Sequence, residues 1–134
     1  RLYGGRWNSV GTAMVYTASS LSLATLELMV HLEELATLSG HYSVIPVEFD
    51  HSLVERVAPE SLPRRWDSPI PLPGTQLFGD DWIRRKSSVV LEVPSAVTKS
   101  ESNFLLNPAH PDFGLVTLHE RYPFEPDERL RGGL

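Results

Sequence analysis

A chain of 134 residues, 41% hydrophobic and 22% charged, has the length of one domain and enough apolar material for a single core. It has no cysteine, which excludes a disulfide framework, a thiolate zinc site and a cysteine nucleophile, and is compatible with a reducing cytosol. Its 17 acidic and 12 basic residues give a formal charge of −5, so no net basic field favours nucleic acid.

No run approaches the roughly 20 apolar residues that span a bilayer, and no signal-peptide pattern opens the chain. The first residue is Arg1 rather than Met, so the native start is expected upstream. In chain order, 13–17 (AMVYT) reads as a short buried strand. Residues 21–38 contain no Gly or Pro and are rich in helix formers; Ser19 or Ser20 is available as N-cap, and Gly40 stands where a helix would stop. Residues 42–49 (YSVIPVEF) read as a strand that Pro46 confines to an edge or a bulge. Five prolines between Pro59 and Pro73 make the middle irregular, and 74–86 holds a short helix around Trp82. Strands are expected at 88–93, ended by Pro94, at 104–107, ended by Pro108, and at 115–119. The tail, 125–134, reads as a charged, partly mobile surface segment. Strands and helices do not alternate, so the fold class is α+β, with mixed, mostly antiparallel small sheets and one long helix.

That helix carries two polar stripes. Residues advance by about 100° each, so Glu27, His31 and Glu34 share one stripe, while Ser22, Thr25 and Glu33 fall roughly opposite. A surface helix ordinarily has one polar stripe. One of these therefore faces solvent, and the other is a candidate to face a cleft. The plainer reading is an exposed Glu27–His31 pair at i,i+4.

Few other motifs point to chemistry on their own. Gly4-Gly5-Arg6-Trp7-Asn8 is a turn whose glycines allow close approach and whose guanidinium suits phosphate or carboxylate, but it has neither Walker nor dinucleotide spacing. The five histidines show no H-x-x-x-H pair, so no metal site is expected. There is no G-x-S-x-G elbow. Taken alone, Ser95 after Pro94 reads as a turn cap, Asn107-Pro108 as a stiff turn, and Tyr16 as core.

Five segments in order nevertheless resemble the RES-domain toxins of bacterial toxin–antitoxin pairs: GGRWNSVG (4–11), VYTASSLSLATLELMVH (15–31), VPSAV (93–97), NFLLNPAHPDF (103–113) and PFEPDERL (123–130). The resemblance covers nearly the whole chain, so 1–134 is read as a single RES domain whose N-terminal segment, with a strand and a further Arg, is expected to be missing. The name-giving Arg, Glu and Ser would be Arg6, Glu27 and Ser95, with Tyr16 at an aromatic position the family also uses. The resemblance implies a fold similar to diphtheria-toxin-like ADP-ribosyltransferases, NAD as substrate with no resident cofactor, and a cytoplasmic place of action. It also implies an Xre-like antitoxin as partner and self-association into a homo-oligomer, with no direct nucleic-acid or membrane contact.

Cleaving the nicotinamide–ribose bond develops positive charge on the ribose, as in glycoside hydrolysis. Glu27, ionised beside Arg6, would stabilise that charge. Arg6 would grip diphosphate or ribose, and Tyr16 would offer a face for nicotinamide. These three are the expected catalytic residues. Ser95, bonding ribose or fixing the Glu27 rotamer, and Asn107, a polar contact to the nucleotide, are expected to bind substrate. The acceptor is water or phosphate in the favoured reading, an NAD glycohydrolase or phosphorylase. The alternatives are mono-ADP-ribosyl transfer to a protein and a non-catalytic nucleotide-binding module.

Overall fold

The computed structural model describes residues 4–31 and 42–132. Its frame is a four-stranded sheet of β1 (Val15–Ala18), β6 (Ser102–Leu106), β5 (Val90–Pro94) and β4 (Val54–Arg56), in the order β1-β6-β5-β4. The β1–β6 and β6–β5 pairs are antiparallel, and β4 joins β5 in parallel. Two ribbons of two residues per strand complete the strands: β2 (Ser43–Val44) with β8 (Tyr122–Pro123), and β3 (Val47–Glu48) with β7 (Thr117–Leu118). With helices α1 (Leu21–His31), α2 (Pro73–Arg85) and the single turn α3 (Arg129–Gly132), this is the expected α+β class. Among the described residues no helix is long and apolar enough to cross a membrane.

Register divides the sheet into two faces, because directly opposed residues share a face. Tyr16, Leu105 and Leu91 stand in one row, and Asn103 stands opposite both Ala18 and Val93. Leu91, Val93 and Leu105 belong to a buried cluster with Trp7 and Trp82, flanked by Tyr16, Trp66 and Phe78. The other face carries Val90 and Leu106, packed with Val116, Phe49, Phe104 and Phe113.

α2 lies against the Trp7 cluster and is a full 13 residues, where the sequence suggested a short helix. Pro73 starts it at a position that needs no N–H. Gly79, unfavourable in a helix interior, is there because a Cβ would stand 1.7 Å from the Trp7 carbonyl oxygen. Lys86 ends it in the left-handed region, φ 52°, with its N–H on the Trp82 carbonyl.

α1 starts as expected, with Ser20 Oγ accepting from Leu23 N at 3.1 Å. Its expected continuation to Leu38 lies outside the described residues, as do Glu33, Glu34 and His41. The strand expected at 42–49 is instead two, β2 and β3, parted by Ile45-Pro46 and paired to different partners. The strand expected at 115–119 shortens to β7, preceded by a 3₁₀ turn, Pro111–Leu115, that His110 Nδ1 caps by accepting from Asp112 N. β4 was not anticipated.

Candidate functional site

The turn at 4–8 is built around Tyr16. Its hydroxyl donates to Asn8 Oδ1 at 2.5 Å and accepts from Trp7 N at 2.8 Å. Asn8 Oδ1 also accepts from Gly5 N at 3.0 Å. Gly4 sits at φ +73°, where an L side chain is strained, and a Cβ on Gly5 would stand 2.4 Å from the Tyr16 hydroxyl. These contacts clamp the turn to β1 and aim Arg6. The Arg6 guanidinium donates through Nη1 to the carbonyls of Trp66 and Ser68, both at 2.7 Å. Burial pulls its pKa below the ordinary value, while electrostatic interaction with Asp67 and Tyr16 acts in the opposite direction. Arginine stays cationic through such shifts.

Glu27, in the middle of the described part of α1, is turned toward the sheet. Its Oε2 accepts from Ser95 Oγ at 2.8 Å and its Oε1 from Asn103 Nδ2 at 3.0 Å. Ser95, fully buried just past β5, accepts at Oγ from Val97 N (3.1 Å) and Thr98 N (3.2 Å). Those two donors occupy the oxygen's lone pairs, so its single proton must point at Glu27.

Arg6, Tyr16, Glu27 and Asn103 line one cleft of about 1010 Å³. It is lined by residues 16–20 and by Leu21, Ala24, Thr25, Glu27 and Leu28 of α1. The walls come from the 4–7 turn, from 42–47, from Pro69-Ile70-Pro71, and from Tyr122 and Phe124. The structure thus brings together the expected catalytic residues Arg6, Tyr16 and Glu27. Ser95 is sealed behind Glu27 and serves its carboxylate rather than the open space. Among the described residues no ion pair joins Arg6 to Glu27; the guanidinium is held by carbonyls instead. Asn107 is elsewhere. It is fully buried beyond the far end of β6, with Nδ2 on the Ile83 carbonyl (3.2 Å) and Oδ1 accepting from Ala109 N (3.0 Å), and it is not among the cleft residues.

Sequence reasoning missed Asn103, although a signal existed. Asn103 and Asn107 bracket the apolar Phe104-Leu105-Leu106, four residues and about 13 Å apart along a strand, on one face. Only the first lies over α1. The seat of Arg6 left no side-chain signal, because carbonyls make it. A further link, Lys99 Nζ to Asp67 Oδ2 at 2.5 Å, ties the Arg6-binding loop to the turn that carries Ser95. Hydrogen bonding from Lys99, and the Lys99 and Arg6 charges, hold the Asp67 carboxyl below its ordinary value against a smaller effect of burial.

The chain is similar over most of its length to several characterised proteins. A "Toxin Res" of Yersinia enterocolitica is 42% identical over 112 residues, 83% of this chain and 72% of that protein. A "Toxin Res" of Photorhabdus laumondii is 35% identical over 131 residues, 97% of this chain and 83% of its own length. A "Prs ADP-ribosylating toxin" of a Sphingobium species is 41% identical over 115 residues, 84% of this chain and 71% of that one. The model of the RES domain matches residues 1–127, and the chain belongs to the RES-domain family.

Proposed function

We propose that this protein is a toxin that destroys NAD by breaking the nicotinamide–ribose bond, with water or inorganic phosphate as acceptor. The observation that carries the reading is the Glu27 carboxylate, fixed at both oxygens by Ser95 and Asn103 in a cleft that also holds Arg6 and Tyr16. The cleft volume sits at the upper end of ordinary ligand pockets, roughly 300–1,000 Å³, as an extended dinucleotide requires.

The residues divide the work as follows. Nicotinamide leaves with the bonding pair, which neutralises its ring nitrogen, so no acid is needed. Positive charge grows on the ribose instead, and a pre-oriented carboxylate stabilises it without reorganising. Glu27 holds that place, and its oxygens keep lone pairs beyond the two already used. The acceptor oxygen then bonds to the ribose carbon and any proton it carries passes to solvent, yielding ADP-ribose from water or the 1″-phosphate ester from phosphate. Arg6 has three N–H groups beyond the two on Nη1, enough to hold a diphosphate oxygen pair. Tyr16 contributes its ring, because its hydroxyl is engaged with the 4–8 turn. An Xre-like antitoxin would silence the enzyme by covering the cleft mouth, in the cytoplasm, with the toxin as a homo-oligomer.

The similarity to a protein named as a Prs ADP-ribosylating toxin favours a second reading, transfer of ADP-ribose to a protein side chain. One experiment separates them. Purified protein is given NAD with and without phosphate, and nicotinamide and the ADP-ribosyl product are quantified, with labelled NAD and lysate in parallel. Free ADP-ribose or its phosphate ester supports the first reading, and label on a protein band with little free product supports the second. Glu27→Gln is expected to lower kcat roughly 10²- to 10³-fold with the fold intact; an unchanged rate removes Glu27 from the mechanism.

A further inference from the structure

We infer that Asn103 is a positioning residue for the same reaction, acting through Glu27; the inference rests on the proposed NAD cleavage. Asn103 stands on the central strand β6, opposite Ala18 of β1 and Val93 of β5. Its amide nitrogen has two hydrogens and two acceptors, Thr17 O at 3.2 Å and Glu27 Oε1 at 3.0 Å. Both are obligate acceptors, a main-chain carbonyl and a carboxylate, so the amide has one satisfactory orientation. Flipped, its oxygen would face two oxygens. The strand β1, already paired to β6, thereby sets the direction in which Asn103 presents its second hydrogen.

Ser95 and Asn103 divide the carboxylate between them. Ser95 fixes Oε2 from the turn after β5, and Asn103 fixes Oε1 from β6. One donor alone would leave Glu27 free to rotate about its terminal bond, a broad torsion. Two donors, one from the turn after β5 and one from β6, lock that rotation and keep the remaining lone pairs directed at the cleft. This matters for catalysis because a carboxylate that must reorient as charge develops stabilises the transition state less. It matters little for binding NAD in the ground state, where the ribose carries no charge. Removing Asn103 therefore lowers kcat and leaves KM nearly unchanged.

The test measures nicotinamide release by wild type, Asn103→Leu, Asn103→Asp, Glu27→Gln and the double variant Asn103→Leu/Glu27→Gln, each with a thermal melt. Asn103→Leu removes both donations at similar volume, and kcat is expected to fall about 10- to 100-fold, the range for a hydrogen bond to a charged group, with KM within about threefold. Asn103→Asp keeps the shape but turns a like charge on Glu27, and the loss is expected to be at least as large. In the Glu27→Gln background the same Asn103→Leu change is expected to cost less than about twofold, because its route of action is already gone. If Asn103→Leu does not fold, the isosteric Asn103→Asp decides the question by its kcat and KM. A full wild-type kcat in a folded variant overturns the inference alone, as does a loss that multiplies fully with that of Glu27→Gln or appears only in KM. A wild-type protein that releases no nicotinamide overturns the inference together with the reading beneath it.

Discussion

Glu27 is held by two side-chain donors, Ser95 Oγ and Asn103 Nδ2, whereas Arg6 is held by two main-chain carbonyls, those of Trp66 and Ser68. The two charged groups of one cleft are thus seated by different means. A side-chain seat depends on the identity of two residues and is undone by a single substitution that leaves the backbone in place. A carbonyl seat depends on where the chain runs, so it survives a side-chain change at Ser68 and yields only when the path of the chain moves. The acid can be tuned locally, while the cation is tied to the integrity of the Trp7–Trp66–Phe78 packing beneath it, where ring centroids lie 6.1 and 5.9 Å from Trp7.

That contrast can be broken from the cation's side first, with the largest effect. Gly79→Ala drives a methyl group into the Trp7 carbonyl, a backbone atom adjoining Arg6 that cannot swing away. Overpacking and backbone displacement together are expected to lower stability by about 3 kcal/mol or more, read as a fall in the urea midpoint. A wild-type midpoint would show that the turn carrying Arg6 adapts freely and is not fixed by its contact with α2. From the acid's side, Ser95→Ala is expected to lower kcat about 10- to 100-fold, as for a lost charge-assisted bond. It also leaves the amides of Val97 and Thr98 without their acceptor, so the loss of activity comes with a modest fall in melting temperature. Equal kcat in Ser95→Ala and wild type would mean that Asn103 alone suffices to seat the acid.

The smallest effect is expected at the Asp67–Lys99 link between the two seats. Both partners are solvent-exposed enough for screening to leave the pair little net value. The sign is nevertheless fixed: the Asp67 carboxyl is held below its ordinary value of 3.8, so its contribution is full above that pH and is lost as pH falls through the lower folded-state value. Melting curves of wild type and Asp67→Asn should differ slightly at neutral pH and converge in acid. Divergence in acid would reverse the assignment.

The sequence made the acid's seat more readable than the cation's. Helix α1 announced itself through a capping serine and an unbroken run of helix formers, and its two polar stripes made Glu27 a candidate to face a cleft without saying which stripe does, an exposed Glu27–His31 pair being the plainer reading. Strands β5 and β6 were legible because β-branched and apolar residues run up to a proline that ends them. What stayed hidden depends on contacts between distant segments. Three residues, Val54-Glu55-Arg56, are too few to show alternation and become a strand only because β5 offers them an edge. The segment 74–86 read only as a short helix, and the reason for Gly79 inside the longer α2 is the Trp7 main chain, 72 residues earlier in sequence. Asn107 was named and Asn103 passed over, because a run of residues does not say which end of its strand lies over α1.

The paired ribbons carry a consequence for the order in which the cleft is assembled. Tyr122 and Phe124 help wall the cleft, and β8 and β7 are the only strand partners that β2 and β3 have among the described residues. Synthesis through β6 delivers Arg6, Tyr16, Glu27 and Ser95, but not the closing wall. Enclosure waits for β7 and β8, so a chain cut short after β6 would carry Arg6 and Glu27 in an unroofed groove.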